Sequence, residues 1–208
     1  RSRVIVNQVV PFAVLVMVTF AFALDSESVL ERVAPGLVWL AALFALMVVV
    51  QRSFALESAD GALDALRVAG VRPSGLFVGK SLALFSQLIV LEVALLLAAV
   101  VLYRTDLRAE GLVLLVTTAV SATTGLACVG TLYGGLASGA RGRDTLLPLL
   151  LLPVVAPVLI GATRATEAAL GTNGATSSEG WPWVGLLALF AAVFGIGGTY
   201  AFGSLIDT

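Results

Sequence analysis

QRSFALESADGALDALRVAGVRPSGLFVGK, residues 51–80, lies between the apolar runs WLAALFALMVVV (39–50) and SLALFSQLIVLEVALLLAAVVLY (81–103). A helix needs about 20 apolar residues to cross the hydrocarbon core of a bilayer. The flanks therefore read as membrane spans, and residues 51–80 as the longest polar connection between spans. The connection has helical order of its own. From a start near Ser53, Leu56, Ala59, Leu63, Leu66 and Gly70 recur at spacings of three or four and form an apolar or small stripe. Glu57, Asp60, Asp64 and Arg67 form a second stripe, about 100° away on an α-helix. Such a helix is expected to lie across the membrane surface. Its polar stripe is mostly acidic, whereas a binder of anionic lipid would carry Lys and Arg there. Gly70 is expected to stop the helix, Pro73 to enforce a turn, and Lys80 to begin the next span at the interface. Two readings follow: a solvated connector, or a docking element for a soluble cytoplasmic motor, with a protein rather than lipid as the partner.

The rest of the chain fits that frame. Of 208 residues, 59% are hydrophobic and 12% charged, and the mean hydropathy is +1.05. A soluble domain of this size cannot bury that much apolar surface, so lipid is the natural solvent. The net charge of −1 gives no reason to expect a nucleic-acid partner. A single cysteine, Cys128, allows neither an internal disulfide nor a thiolate metal cluster. There is no histidine, which removes the commonest metal ligand, haem ligand and general base. The chain opens RSRVIVNQ without a methionine, so residues are expected to precede Arg1. The first apolar run is too long for a signal peptide and has no small-residue cleavage site.

Six spans are predicted, at about residues 4–24, 34–50, 81–103, 111–138, 145–163 and 183–206, in one transmembrane domain covering 1–208. Backbone amides in lipid must bond within the segment, and the runs are too long for barrel strands. The expected fold is thus an all-α integral membrane protein with an amphipathic cytoplasmic helix between spans two and three. Charge bias sets its orientation. With the N-terminus inside, Arg1, Arg3, Arg52, Arg67, Arg72, Lys80, Arg141 and Arg143 are cytoplasmic, and Arg32, Arg104, Arg108 and Arg164 lie outside. That imbalance predicts N-in, C-in. Trp39, Trp181 and Trp183 then fall near the outer interface, as an aromatic belt would place them. Residues 165–180, with GTNGATSSEG, read as a flexible outer linker. Spans one to three do not align with four to six, which weakens a transporter built on inverted repeats.

Four features inside or beside the spans carry polar chemistry or special packing. Glu92, in LIVLEVALLL, costs a few kcal/mol if charged and lipid-exposed, so it should face the bundle, hydrogen-bonded or protonated. It reads either as a substrate or proton contact, or as a tie to a Ser or Thr of span four. Span four holds Gly130 and Gly134, then Gly135 and Gly139, two GxxxG pairs suited to close packing or to a moving or dimer-forming surface. Span five carries Pro148, Pro153 and Pro157, each expected to remove a donor and bend the helix. Arg164 and Glu167 follow at i, i+3 and are expected to pair near the outer end, with a contact to an anionic substrate or outer partner as the other reading. No nucleophile–base set, Walker loop or metal-ligand cluster is present, so the chain reads as non-catalytic, with energy supplied by another chain.

The run WLAALFALMVVVQRSFALESADGALDALRVAGVRPSGLFVGKSLA (39–83), LEVALLL with Glu92, RGRDTLLPLLLLP (141–153) and WPWVGLLALFAAVFGIGGTYAF (181–202) together resemble the CcmB family. These are membrane subunits of the haem exporter of cytochrome c maturation, and the resemblance covers nearly the whole chain. It implies an ABC-2-type permease of six helices in the bacterial inner membrane, present in two copies. It implies an ATPase partner, CcmA, which binds ATP and Mg, association with CcmC and CcmD, and a periplasmic haem chaperone, CcmE. On these grounds Arg52, Glu57, Asp60, Gly61, Leu63, Asp64, Leu66, Arg67 and Pro73 belong to the segment that receives ATPase movement. The resemblance leaves open whether haem crosses as cargo or ATP releases loaded chaperone. Without histidine, only Met17, Met47, Cys128 and the tyrosines remain as axial ligands, which favours a force-transmitting permease over a haem-ligating carrier. The alternatives are an ABC-2 permease for a lipid, drug or polysaccharide, and a proton-coupled transporter centred on Glu92.

Overall fold

The computed structural model describes residues 2–24, 26–59, 69–103, 109–138 and 143–206. Among them there is no strand, and six long helices make the fold: α1 Ser2–Ala23, α2 Glu27–Ala59, α3 Pro73–Tyr103, α4 Leu112–Ser138, α5 Arg143–Leu170 and α6 Ser177–Ile206. Short 3₁₀ turns at Ala109–Gly111 and Thr172–Gly174 precede α4 and follow α5. Five of the helices, α2 to α6, are long and apolar enough to cross a membrane, and in α1 the described apolar stretch is the shorter Val14–Ala23. A chain with five such helices is a multi-pass membrane protein.

Periodicity accounts for the packing. On α3 the buried residues are Phe77, Ser81, Leu84, Leu88, Leu91, Glu92, Leu95, Ala99 and Tyr103, a single stripe at spacings of three and four. Val78, Leu82, Val90, Val93, Leu97 and Val101 face outward, as lipid permits. The fourth helix is the hub, in contact with α2, α3, α5 and α6, while α1 packs on α2 and α3. The main core joins Leu46, Val50 and Phe54 of α2, Leu84 and Leu88 of α3, Leu126 of α4 and Leu151 and Val155 of α5.

Helix ends depart from the sequence expectations. The second helix runs unbroken from Glu27 to Ala59, 33 residues, or about 50 Å at 1.5 Å per residue, against a hydrocarbon core of about 30 Å. Residues 53–59 therefore continue span two instead of opening a separate helix across the surface. The third helix likewise begins at Pro73, not near Ser81. Arg72 is its cap, its carbonyl accepting from the amides of Gly75 (2.9 Å) and Leu76 (3.2 Å). Proline suits the first helical position because it has no amide to satisfy there. Lys80 thus lies two turns inside α3 rather than at its start. Gly70 adopts φ +74°, where the chain turns.

The fifth helix passes through Pro148, Pro153 and Pro157 as one helix of 28 residues. Pro153 and Pro157 are exposed, on the outer face rather than along any interior path. The predicted linker at 165–180 shrinks to residues 171–176, because α5 persists to Leu170 and α6 starts at Ser177. The turn is ordered: Gly171, Asn173 and Gly174 take left-handed φ of 69°, 59° and 76°. The next helix opens on T-S-S-E, where the Thr176 hydroxyl donates to Glu179 Oε1 at 2.8 Å and the Thr176 carbonyl accepts from the Glu179 amide at 3.0 Å.

Candidate functional site: the 51–80 end of the bundle and the buried polar ties

Helix ends gathered around residues 51–59 and 73–80 form one pole of the bundle. Here α2 supplies Phe54, 1% exposed, and α3 supplies Lys80, whose Nζ sits 3.2 Å from the Phe54 ring centroid. A cation over an aromatic face is attracted by the ring quadrupole. The Phe54 ring also packs against Gly134 of α4 through Cδ2 and Cε2: a Cβ there would fall 2.7 Å from Phe54 Cδ2 and 2.8 Å from Val50 Cγ1. Gly130 sits under Val50 in the same way, with 2.9 Å to Cγ2, and Gly135 receives Phe202 of α6, with 2.8 Å to Cε2. The glycines of span four thus act as notches for neighbouring side chains within one chain. Phe77 of α3 fits against Gly198 of α6 and meets Phe202 at 5.6 Å between centroids.

Of the residues singled out in the sequence for coupling, Arg52 lies half-buried on α2 and Pro73 opens α3. Glu57 is in α2. Asp60, Gly61, Leu63, Asp64, Leu66 and Arg67 lie outside the described residues, as does Gly139. Sequence reasoning missed Phe54, Phe77 and Lys80 as a group. Their signal was weak, since each is one aromatic or basic residue at the edge of an apolar run.

Glu92 is 3% exposed and faces α4. Both carboxyl oxygens lie 2.7 Å from Thr123 Oγ1. A hydroxyl carries one proton, so the Thr123 hydroxyl donates to one of these two oxygens at a time. One level nearer the 51–80 pole, Ser81 Oγ donates to Thr131 Oγ1 (3.1 Å), which donates to the Ala127 carbonyl (2.8 Å).

At the opposite pole, Trp39 Nε1 donates to Thr166 Oγ1 at 2.9 Å and joins α2 to α5. Trp39 is only 4% exposed, so it is an interior residue and not part of a lipid-facing belt; Trp181 is exposed. The Tyr103 hydroxyl donates to the Met17 carbonyl at 2.7 Å and pins α3 to α1. Arg164 Nη1 donates to Glu167 Oε2 at 3.0 Å near the C-terminal end of α5.

A cleft of about 270 Å³ opens between α3, α4 and α6, lined by Phe77, Ser81, Leu82, Phe85, Cys128 and Thr199 among others. Its lining contains neither a methionine nor a tyrosine, so Cys128 has no second soft or phenolic ligand beside it. Met17 is sealed in the core. Among the described residues, no three of His, Cys, Asp and Glu cluster as a metal site would require.

Comparison with known proteins supplies the family. The model described as CcmB protein matches residues 1–207. "Heme exporter protein B" of Rhodobacter capsulatus is 34% identical over 160 residues, 76% of this chain and 72% of that protein. The protein of the same name from Pseudomonas aeruginosa is 32% identical over 202 residues, 92% of this chain and 84% of its own. That of Haemophilus influenzae is 32% identical over 193 residues, 88% and 78% of the two chains. A match from end to end, with relatives above 30% identity across most of both lengths, means that the chain belongs to the CcmB family.

Proposed function

We propose that this chain is the membrane subunit of an ABC transporter complex for cytochrome c biogenesis. In this reading it couples ATP hydrolysis by a partner ATPase, CcmA, to haem export or to release of haem-loaded chaperone. Family membership and the relatives' name, heme exporter protein B, support the haem side. The observation that carries the coupling side is the length of α2 and α3, 33 and 31 residues against about 20 needed to cross the hydrocarbon core. The ends that flank residues 60–72 lie at one pole of the bundle, which offers a soluble partner helix rather than loop to grip. The remaining assignments are a six-helix ABC-2-type subunit, N-in and C-in, in the bacterial inner membrane. It works in two copies with CcmC and CcmD and delivers to CcmE, with ATP and Mg bound by the ATPase.

Force transmission is favoured over haem ligation by this chain. The sequence has no histidine, and the cleft beside Cys128 offers no paired axial ligand. A proton-coupled reading centred on Glu92 gains little from the geometry, because that carboxyl is sealed and bound to Thr123. Purification of the tagged chain from its own membranes tests the proposal. Recovery of an ATPase and a haem chaperone supports it. Recovery of an ATPase with lipid- or polysaccharide-handling proteins instead turns the reading to another ABC-2 substrate. Stoichiometric haem on the isolated chain, with spectra of protein axial ligation, overturns the force-transmitting role.

A further inference from the structure

The two ends of the 51–80 segment, 26 positions apart in Phe54 and Lys80, meet in one contact: the Lys80 ammonium lies over the Phe54 ring, and the same ring packs against Gly134 of α4. We propose that Phe54 and Lys80 form a clamp that makes both ends of this segment move as one body on the Gly134 notch, so that displacement of the segment is delivered to α4. The inference rests on the ATPase-coupled reading for the source of the displacement, and on geometry alone for its route.

Three observations carry it. First, the notch leaves no slack. Phe54 is 1% exposed, and the space a Cβ would need at Gly134 is already filled by its ring and by Val50. A close-packed contact transmits displacement instead of absorbing it. Second, the route closes on itself. Lys80 joins α3 to α2, Phe54 joins α2 to α4, Phe202 of α6 enters Gly135 of α4, and Phe77 of α3 enters Gly198 of α6. Four helices are thereby interlocked at one level, and three of the residues that do it (Phe54, Phe77 and Lys80) come from the 51–80 segment. Third, the receiving helix is the hub. Helix α4 touches α2, α3, α5 and α6, and it holds Thr123, the partner of Glu92, about three turns from the Gly134 and Gly135 notches. A movement of α4 therefore reaches the polar tie in mid-bundle.

Phe54→Leu removes the ring and keeps apolar bulk, Lys80→Met removes the cation and keeps the stem, and Lys80→Arg keeps a cation over the ring. Two readouts decide the matter. In nanodiscs, hydrogen exchange of the full chain at residues 51–59 and 73–80 should rise at least fivefold in Phe54→Leu and Lys80→Met, and stay near wild type in Lys80→Arg. In the assembled complex, the same two variants should keep the ATPase bound and hydrolysing while substrate moved or chaperone released per ATP falls at least fivefold, with Lys80→Arg restoring it. Unchanged exchange overturns the clamp. Raised exchange with undiminished output per ATP also overturns it, leaving a structural contact only. A wild-type chain that binds no ATPase fails the parent reading and removes the delivery role, while the exchange data still report whether the two ends are clamped.

Discussion

Glu92 shows how far a single residue can be read. An acidic residue in LIVLEVALLL must find a partner inside the bundle because lipid offers none. Which partner it finds depends on azimuth. The facing helix offers Thr117, Thr118, Thr123 and Thr124, and Thr118 and Thr124 instead donate to their own helix, to Leu114 and Val120. Only folding selects Thr123, so the need for a partner was legible in the sequence and its identity was not. A glutamine at 92 has one donor and one acceptor at the same reach and can meet both contacts. Glu92→Gln is expected to change stability by less than about 0.5 kcal/mol, whereas Glu92→Val should cost about 1–2 kcal/mol, the usual worth of an interhelical hydrogen bond in a membrane. Reversible unfolding in mixed micelles, completed as a double-mutant cycle with Thr123→Val, measures the term. A coupling near zero between 92 and 123 would mean that the contact contributes nothing.

Elements were legible where periodicity speaks and misread where it stops. The apolar spans place α2 to α6 because lipid demands continuous helix. Their ends do not follow from apolar length, since a helix need not stop where the bilayer does. FALESA (54–59) is good helix sequence, and nothing in it breaks α2 before Ala59. The start of α6 did have a signal. Thr176 and Glu179 are three apart ahead of an apolar run, but the surrounding Gly, Asn and Ser outweighed that spacing as evidence of a linker. Trp39 was misplaced for a different reason: the belt rule gives depth along the membrane normal, not which side of the helix faces lipid. Thr176→Ala should cost about 0.5–1 kcal/mol through loss of its hydrogen bond to Glu179, with raised amide exchange confined to residues 177–180. Exchange rising throughout α6 would instead mean that this turn holds the whole helix.

The whole molecule has two dissimilar poles. Hydrogen bonds at one, Trp39 to Thr166 and Tyr103 to Met17, tie α2 to α5 and α3 to α1; rings seated on glycines interlock α2, α3, α4 and α6 at the other. Directional bonds at one pole and close-packed contacts at the other suit a bundle held at its far end and worked at the 51–80 end. That arrangement gives the acidic stripe of the segment a test of its own. Asp60 and Asp64 are four apart on a helical period, so on the proposed reading both present charge to a partner. Exposed charges contribute little to folding, typically under about 1 kcal/mol. Reversal of both, Asp60→Lys with Asp64→Lys, is therefore expected to leave unfolding of the chain nearly unchanged. It should weaken capture of the ATPase at least tenfold, about 1.4 kcal/mol, and more so at low ionic strength, where charge repulsion is least screened. Titration of the ATPase onto the reconstituted chain at two salt concentrations reads both effects. Equal affinity for the native and reversed chains at both concentrations would remove the stripe from the interface, and leave the ends of α2 and α3 at that pole as the surface a motor grips.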